Sequence, residues 1–346
     1  MSHANGTETR AALALASAWG TAVACGAGHG LLVRPHSIRK TRALLLDDSL
    51  GQPYSAGADQ GAVTADGTLP CYLRYGGLDL ALALAMGSTA GAPVQQGSTS
   101  AYARSLDVSA SLDGLFATLA IANGVDVEEY PSAKISGYTL TGEVGRPLEV
   151  AFHVIASDRV TGSAVNTPAA FASVTLADAG HRVLMGQGVF RMNARDSAAL
   201  GPSDRIHPSG FELTFKRKLR GVYGAGAPTD VIDEPTNDGT PEVRLKLRFP
   251  RYTSDAHFLG WDASSPMKLD MTFTGPVIEA PYARQFSVSL PNLAYAGVDL
   301  PHEAGIMSHP VEFACLGTGT PPAGMGGMVG PLVIGIVNTN NADVLA

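Results

Sequence analysis

The chain has 346 residues, a length that suits one large domain or two ordinary ones. Hydrophobic residues make up 45% and charged residues 16%, a globular composition that excludes wholesale disorder. The net charge of −7 is evenly spread, with 14 basic against 17 acidic side chains over residues 1–210 and 10 against 14 over the rest. Neither half is therefore a basic nucleic-acid arm or an acidic tail.

Cys25, Cys71 and Cys315 are far apart and odd in number, which argues against a disulfide framework or a metal-binding spacing and points to a reducing compartment. Residues 1–10 are polar and lack the pattern of a secretory signal. The longest apolar run, Leu78 to Met86, contains Asp79 and falls short of the roughly 20 residues a membrane helix needs. No membrane partner is expected.

In chain order, the Ala/Leu-rich stretch from Ala11 to Trp19 predicts a short helix leading into the glycine-rich Gly26–Gly30. Residues 34–70 carry many turn formers (Asp47, Asp48, Gly51, Pro53, Gly57, Gly61, Asp66, Gly67, Pro70) and little apolar periodicity. They predict a long irregular loop, of the kind that is functional or mobile. Gly77 to Gly87 reads as an Ala/Leu helix ended by glycine.

From about residue 106 the period becomes two. Leu115, Phe116, Leu119 and Ile121 precede a tight turn at Asn123-Gly124, and Leu148, Val150, Phe152 and Val154 mark the apolar face of a strand. Phe171 to Leu176 and Val183 to Met192 are further strand candidates, and Asp196 to Pro208 is the best linker. The clearest alternation follows, in Phe211–Leu219, Val243–Phe249, Met267–Phe273 and Phe286–Leu290, with turn clusters at Gly221–Gly226, Asp233–Pro241 and Asp262–Pro266. Half-buried strands without helical crossovers predict antiparallel sandwiches or barrels.

The sequence carries no complete catalytic or cofactor motif. Gly26-Ala27-Gly28-His29-Gly30 is followed by Leu31 where a dinucleotide site needs its last glycine, and lacks that site's strand–helix context, and Gly317–Gly327 lacks the Lys-Ser/Thr end of a phosphate loop. The nine histidines are dispersed; His302-Glu303 with His309 is the nearest approach to a metal set, and a polar loop explains it better. There is no Gly-x-Ser-x-Gly elbow, and the adjacent Glu128-Glu129 would point to opposite faces of a strand. No catalytic, cofactor-binding or metal residue is assigned, and no cofactor is expected. Lys216, Arg217, Lys218 and Arg220 with Arg244, Lys246, Arg248 and Arg251 would form a basic sheet face, more simply a solvated or protein-contacting face than a nucleic-acid surface.

The stretches Leu112-Asp113-Gly114-Leu115-Phe116-Ala117-Thr118-Leu119-Ala120-Ile121, Val127-Glu128-Glu129-Tyr130-Pro131 through Lys134-Ile135-Ser136-Gly137-Tyr138-Thr139-Leu140, and Gly145-Arg146-Pro147-Leu148-Glu149-Val150 resemble the tail tube (major tail) proteins of long-tailed bacteriophages. The Gly76–Gly87 helix fits the same pattern, and the resemblance is good over residues 15–160 and looser beyond.

It implies a mainly β fold, an antiparallel sandwich or barrel with a short flanking helix. It also implies a structural, non-enzymatic role in the virion tail, with assembly in the host cytoplasm. Six β-domains would close a ring, rings would stack through long loops such as residues 34–70, and DNA and the tape measure protein would pass through the lumen. Tail terminator and distal tail proteins would be the other partners.

The length suggests two β-domains, residues 1–205 and 206–346, the second either tube-like, giving a trimeric ring, or a decoration on a hexamer. A proline-containing turn precedes a strand in both halves (Gly145-Arg146-Pro147, Ser264-Ser265-Pro266), as two domains of related design would show. The alternatives are a glycan-binding β-sandwich or glycan hydrolase, for which Trp19 and Trp261 offer no aromatic cluster beside paired carboxylates, or another virion β-protein of the neck or capsid.

Overall fold

The computed structural model describes residues 6, 9–51, 53–55, 57–176, 178, 180–224, 231–299 and 305–346. The fold is mainly β. The strands of six or more residues are β1 (Arg10–Ala16), β2 (Arg39–Leu46), β3 (Ala58–Tyr72), β4 (Tyr102–Asp107), β5 (Phe116–Ala122), β6 (Val127–Glu143), β7 (Glu149–Ala156), β8 (Gly188–Ala194), β9 (Gly210–Lys216), β10 (Glu242–Phe249), β11 (Met267–Glu279), β12 (Tyr282–Val298), β13 (His309–Cys315) and β14 (Val333–Asn338). Helices α1 (Asp79–Met86) and α2 (Ala256–Asp262) are the two of seven or more residues among the described residues.

All ladders between these strands are antiparallel. One runs β2-β3-β7-β6-β9-β10-β13-β12-β11-β8. The two 17-residue strands β6 and β12 each serve two layers. Along one edge of β6, Val127–Ala133 pairs with β5, which pairs with β1, while Gly137–Glu143 pairs with β9. Along one edge of β12, Gln285–Ser289 pairs with β14, which pairs with β4, while Leu293–Val298 pairs with β13.

Each strand changes register where it forks, at Ile135/Gly137 in β6 and between Leu290 and Leu293 in β12. Such irregularities let one strand turn from one sheet into another. Viewed as a pairing diagram, β10 stands in the middle with β9-β6-β7-β3 on one side and β13-β12-β11-β8 on the other. Three ladders, β6 with β9, β8 with β11 and β4 with β14, join strands from before residue 205 to strands after it. One apolar core extends from Ala11 to Ile336.

Helix α1 has the ends expected for it. Leu80 to Met86 are good helix formers, and Gly87 stops the helix in the left-handed region (φ 84°), its N–H donating to the Ala83 carbonyl. The Asn123-Gly124 turn also forms, with Gly124 at φ 84° and Asn123 Oδ1 accepting from the N–H groups of Val125 and Asp126.

Several sequence expectations need correction. Ala11–Trp19 is not a helix: Arg10–Ala16 is strand β1. Its alanines face two cores at once, Ala11 and Leu13 in the main one, Ala12 and Ala14 against Cys25, Val127 and Phe171 in a smaller one. Burial on both faces overrides helix propensity and removes the alternation that marks a strand.

Residues 34–70 are not an irregular loop. They hold β2 and most of β3 as a two-stranded ribbon with its tip between Leu46 and Ala58. The ribbon buries little on either face, so it shows no apolar periodicity. Phe171 to Leu176 is not a strand; Pro168–Phe171 forms one helical turn capped by Thr167, whose Oγ1 accepts from the Ala170 N–H at 3.1 Å. Ala225 and Gly226 of the Gly221–Gly226 turn cluster lie outside the described residues.

Candidate assembly surfaces

The β2–β3 ribbon is the most unusual surface of the molecule. Every residue of β2 is exposed, and β3 pairs with β7 only from Ala65 onward, so residues 58–64 have β2 as their one strand neighbour among the described residues. Leu44, Leu45 and Leu46 are each more than half exposed, and Leu50 at the tip is fully so. Consecutive leucines on both faces of an exposed strand serve no core of their own chain, and apolar surface of this kind marks an interaction site. Among the described residues the register pairs β2 with β3 alone, which makes β2 an edge strand.

The ribbon's root, in contrast, is fixed. Val63 and Ala65 are buried, the Tyr223 hydroxyl donates to the Val63 carbonyl at 3.0 Å, and Lys40 Nζ lies 2.6 Å from Asp158. Hydroxyl pairs Thr41–Thr64 (2.6 Å) and Ser37–Thr68 (2.9 Å) stitch the strands. At Gly67 (φ 155°) a Cβ would meet the Ile38 backbone at 2.6 Å, so this close approach requires glycine.

A second surface is the open face of β6, β9, β10 and β13. Its alternating residues include Glu212 and Lys216 on β9, Glu242, Arg244, Lys246 and Arg248 on β10, and Glu312 on β13. The sequence suggests a basic face; the register makes it mixed. Glu212 stands opposite Lys246, which stands opposite Glu312, and Lys216 stands opposite Glu242. Arg244 bonds both Glu242 and Glu312, and these contacts lower the Glu242 pKa and raise that of Arg244.

Arg217 is not on this face at all. It is buried, donating to carbonyls at the end of α1. No aromatic ring is presented along the alternating positions of β9, β10 and β13, so the face offers nothing for base stacking.

The remaining buried charges hold loops in place. Lys268 Nζ donates to the carbonyls of Arg195, Ser197 and Ala323, fixing part of the stretch read as a linker. Lys134 Nζ meets Glu234 at 2.6 Å and the Pro235 carbonyl at 2.8 Å. Asp79, at the N-terminal end of α1, accepts from Asn338 and Asn340 and faces Arg104 at 3.6 Å. These charges gave no sequence signal, because their partners lie far along the chain.

Among the described residues no three His, Cys, Asp or Glu side chains come together to hold a metal. His302 and Glu303 lie outside the described residues, and His309 packs among Phe249, Tyr252 and His257. All three thiols are buried, which pushes the Cys25 and Cys71 pKa values up to about 12 and raises that of Cys315 further. Trp19 is a packing residue, edge-on to Phe116 and donating to the Ile232 carbonyl at 3.0 Å. No described helix is long and apolar enough to cross a membrane.

A family model described as phage tail tube protein matches residues 6–324. No curated protein matches the chain.

Proposed function

The chain belongs to the phage tail tube protein family, a structural family of the virion tail, and we propose that its copies polymerise into stacked rings whose bore conducts DNA and the tape measure protein. The observation that carries this reading is the leucine-bearing β2–β3 ribbon, anchored at its root and exposed on both faces beyond it. Apolar surface and an edge strand of that kind favour contact with another molecule.

The paired forks of β6 and β12 favour two tube-like units, residues 1–205 and 206–346, that exchange strands across their boundary through the β6–β9, β8–β11 and β4–β14 ladders, so that three copies would supply a ring of six β-domains. The balanced, aromatic-free face of β9, β10 and β13 suits a wall past which a polyanion slides without sticking. Tail terminator and distal tail proteins would close the two ends, and assembly would take place in the host cytoplasm.

Electron microscopy of the purified chain tests the reading. Rings or tubes are expected from the wild type, and a Leu44→Ser/Leu45→Ser/Leu46→Ser variant should stay dispersed with an unchanged melting temperature. Normal tubes from the variant would remove the ribbon's role. A dispersed wild type with glycan affinity would favour a sugar-binding sandwich instead.

A further inference from the structure

The β3–β7–β6 ladder has two distinct ends. Register sets Ala65 of β3 opposite Ala156 and Tyr72 opposite Glu149, so the ribbon leaves the body beyond the Ala156 end of β7. The β6–β7 turn, Val144 to Pro147, lies at the Glu149 end, about 23 Å away at ~3.3 Å per residue.

At that end is a groove of about 400 Å³ lined by Val144, Met185, Phe190, Ile206, Pro208 and Pro250 among others. Met185 and Phe190 are buried in its floor, and Val144 stands 63% exposed on its rim. Two exposed cations flank it in sequence: Arg146 in the turn after Val144, and Arg251 after Pro250. Of the acids there, Glu143 is paired with Arg146 at 3.5 Å, and Asp204 accepts from the Gly201 N–H at 2.7 Å.

The ribbon has the complementary make-up. Leu44, Leu45, Leu46 and Leu50 supply apolar side chains, and Asp47, Asp48 and Asp59 stand among them, all exposed. We propose that the groove seats the leucine ribbon of a second copy of this chain, the copy in the adjacent ring. The inference rests on the stacking role given to the ribbon above and names its receptor. Because donor and acceptor surfaces lie at opposite ends of the same strands, the contact is heterologous and repeats head to tail, which builds an open fibre rather than a closed dimer. Apolar contact holds the ribbon, while the arginines select the acidic tip and fix its direction.

Cross-linking of the full-length chain distinguishes this receptor from other stacking contacts. A Leu50→Cys/Val144→Cys variant replaces two exposed side chains, and the native cysteines are buried and do not compete. A short bis-maleimide added to its polymers should give a ladder of covalent multimers on a denaturing gel. The Leu50→Cys/Val277→Cys control, which places the second thiol at another exposed position, should not.

Polymers without a ladder would overturn the groove assignment and leave ribbon-driven stacking intact. A wild-type chain that forms no polymer would overturn the stacking role itself. If the cysteine variant fails to polymerise, charge reversal decides. Asp47→Lys/Asp48→Lys and Arg146→Glu/Arg251→Glu should each lower polymer yield about tenfold, and their combination should restore it. Absence of restoration overturns the proposal.

Discussion

Arg217, just past the end of β9, closes the C-terminal end of α1 by donating from Nη2 to the Met86 carbonyl at 2.5 Å. Its Nε reaches the Ala85 carbonyl at 3.1 Å and its Nη1 the Ser109 carbonyl at 2.8 Å. The last turn of α1 has no basic residue of its own, so this distant guanidinium meets both the unpaired carbonyls and the negative end of the helix dipole. Burial lowers its pKa to about 10, which leaves it cationic at neutral pH.

Replacing Arg217 by Met should therefore strand buried carbonyls and cost about 3 kcal/mol. Arg217→Lys should recover only part of the loss, since an ammonium lacks the planar fork that reaches three separate oxygens. Urea unfolding reads both variants, and a midpoint unchanged in Arg217→Met would contradict the capping role.

Lys134 and Glu234 give a non-additive prediction. The Lys134 side chain is fully buried, and its partner carboxylate also accepts from the Gly114 N–H at 2.7 Å. Glu234→Gln leaves a buried ammonium without a countercharge and should cost about 3 kcal/mol. Adding Lys134→Met to that variant should recover stability, because the buried charge is gone. If the double variant is weaker than the single one, the ion pair is not what fixes this loop.

The strands of the C-terminal half were legible because each buries one face: Val243, Leu245 and Leu247 alternate with Glu242, Arg244 and Lys246 in both sequence and structure. Helix α1 was legible from its composition and from Gly87. Strand β1 was not, because alanines between two cores carry no period, and β2 was not, because a strand exposed on both faces has none either. The charged face was misread as basic because Glu312 and Glu212 enter it from strands far apart in the sequence, and only register shows that they stand beside Lys246. The groove was invisible for the same reason, its lining coming from the 144, 185–190, 206–209 and 250 regions.

Acid should weaken the packing of α2. His257 on this helix stacks on Phe249 at 5.1 Å, lies 5.4 Å from His309, and contacts the Tyr295 hydroxyl through Nδ1 at 3.2 Å. Burial, with His309 nearby, pulls its pKa from 6.5 down to about 4, and burial lowers that of His309 too. Below pH 6.5 the unfolded chain takes up protons that the folded chain refuses until about pH 4, so stability is full above this window and falls through it. The loss should be on the order of 2 kcal/mol and appear as a falling melting temperature between those pH values. His257→Phe should flatten the profile; an equally steep one would place the acid sensitivity elsewhere.

Two glycines with positive φ should respond differently to alanine. Gly137 sits where β6 changes register, at φ 155°, and a Cβ there would lie 2.1 Å from the Phe215 carbonyl oxygen of β9. Neither strand can withdraw without breaking the β6–β9 ladder, so Gly137→Ala should cost more than about 3 kcal/mol. Gly145, in the β6–β7 turn at φ 83°, has open space around the same position and should lose only about 1 kcal/mol, the cost of the left-handed backbone itself. Urea midpoints measure the contrast. Equal losses would mean that backbone conformation alone, and not the close packing of β6 on β9, decides what glycine does at this joint.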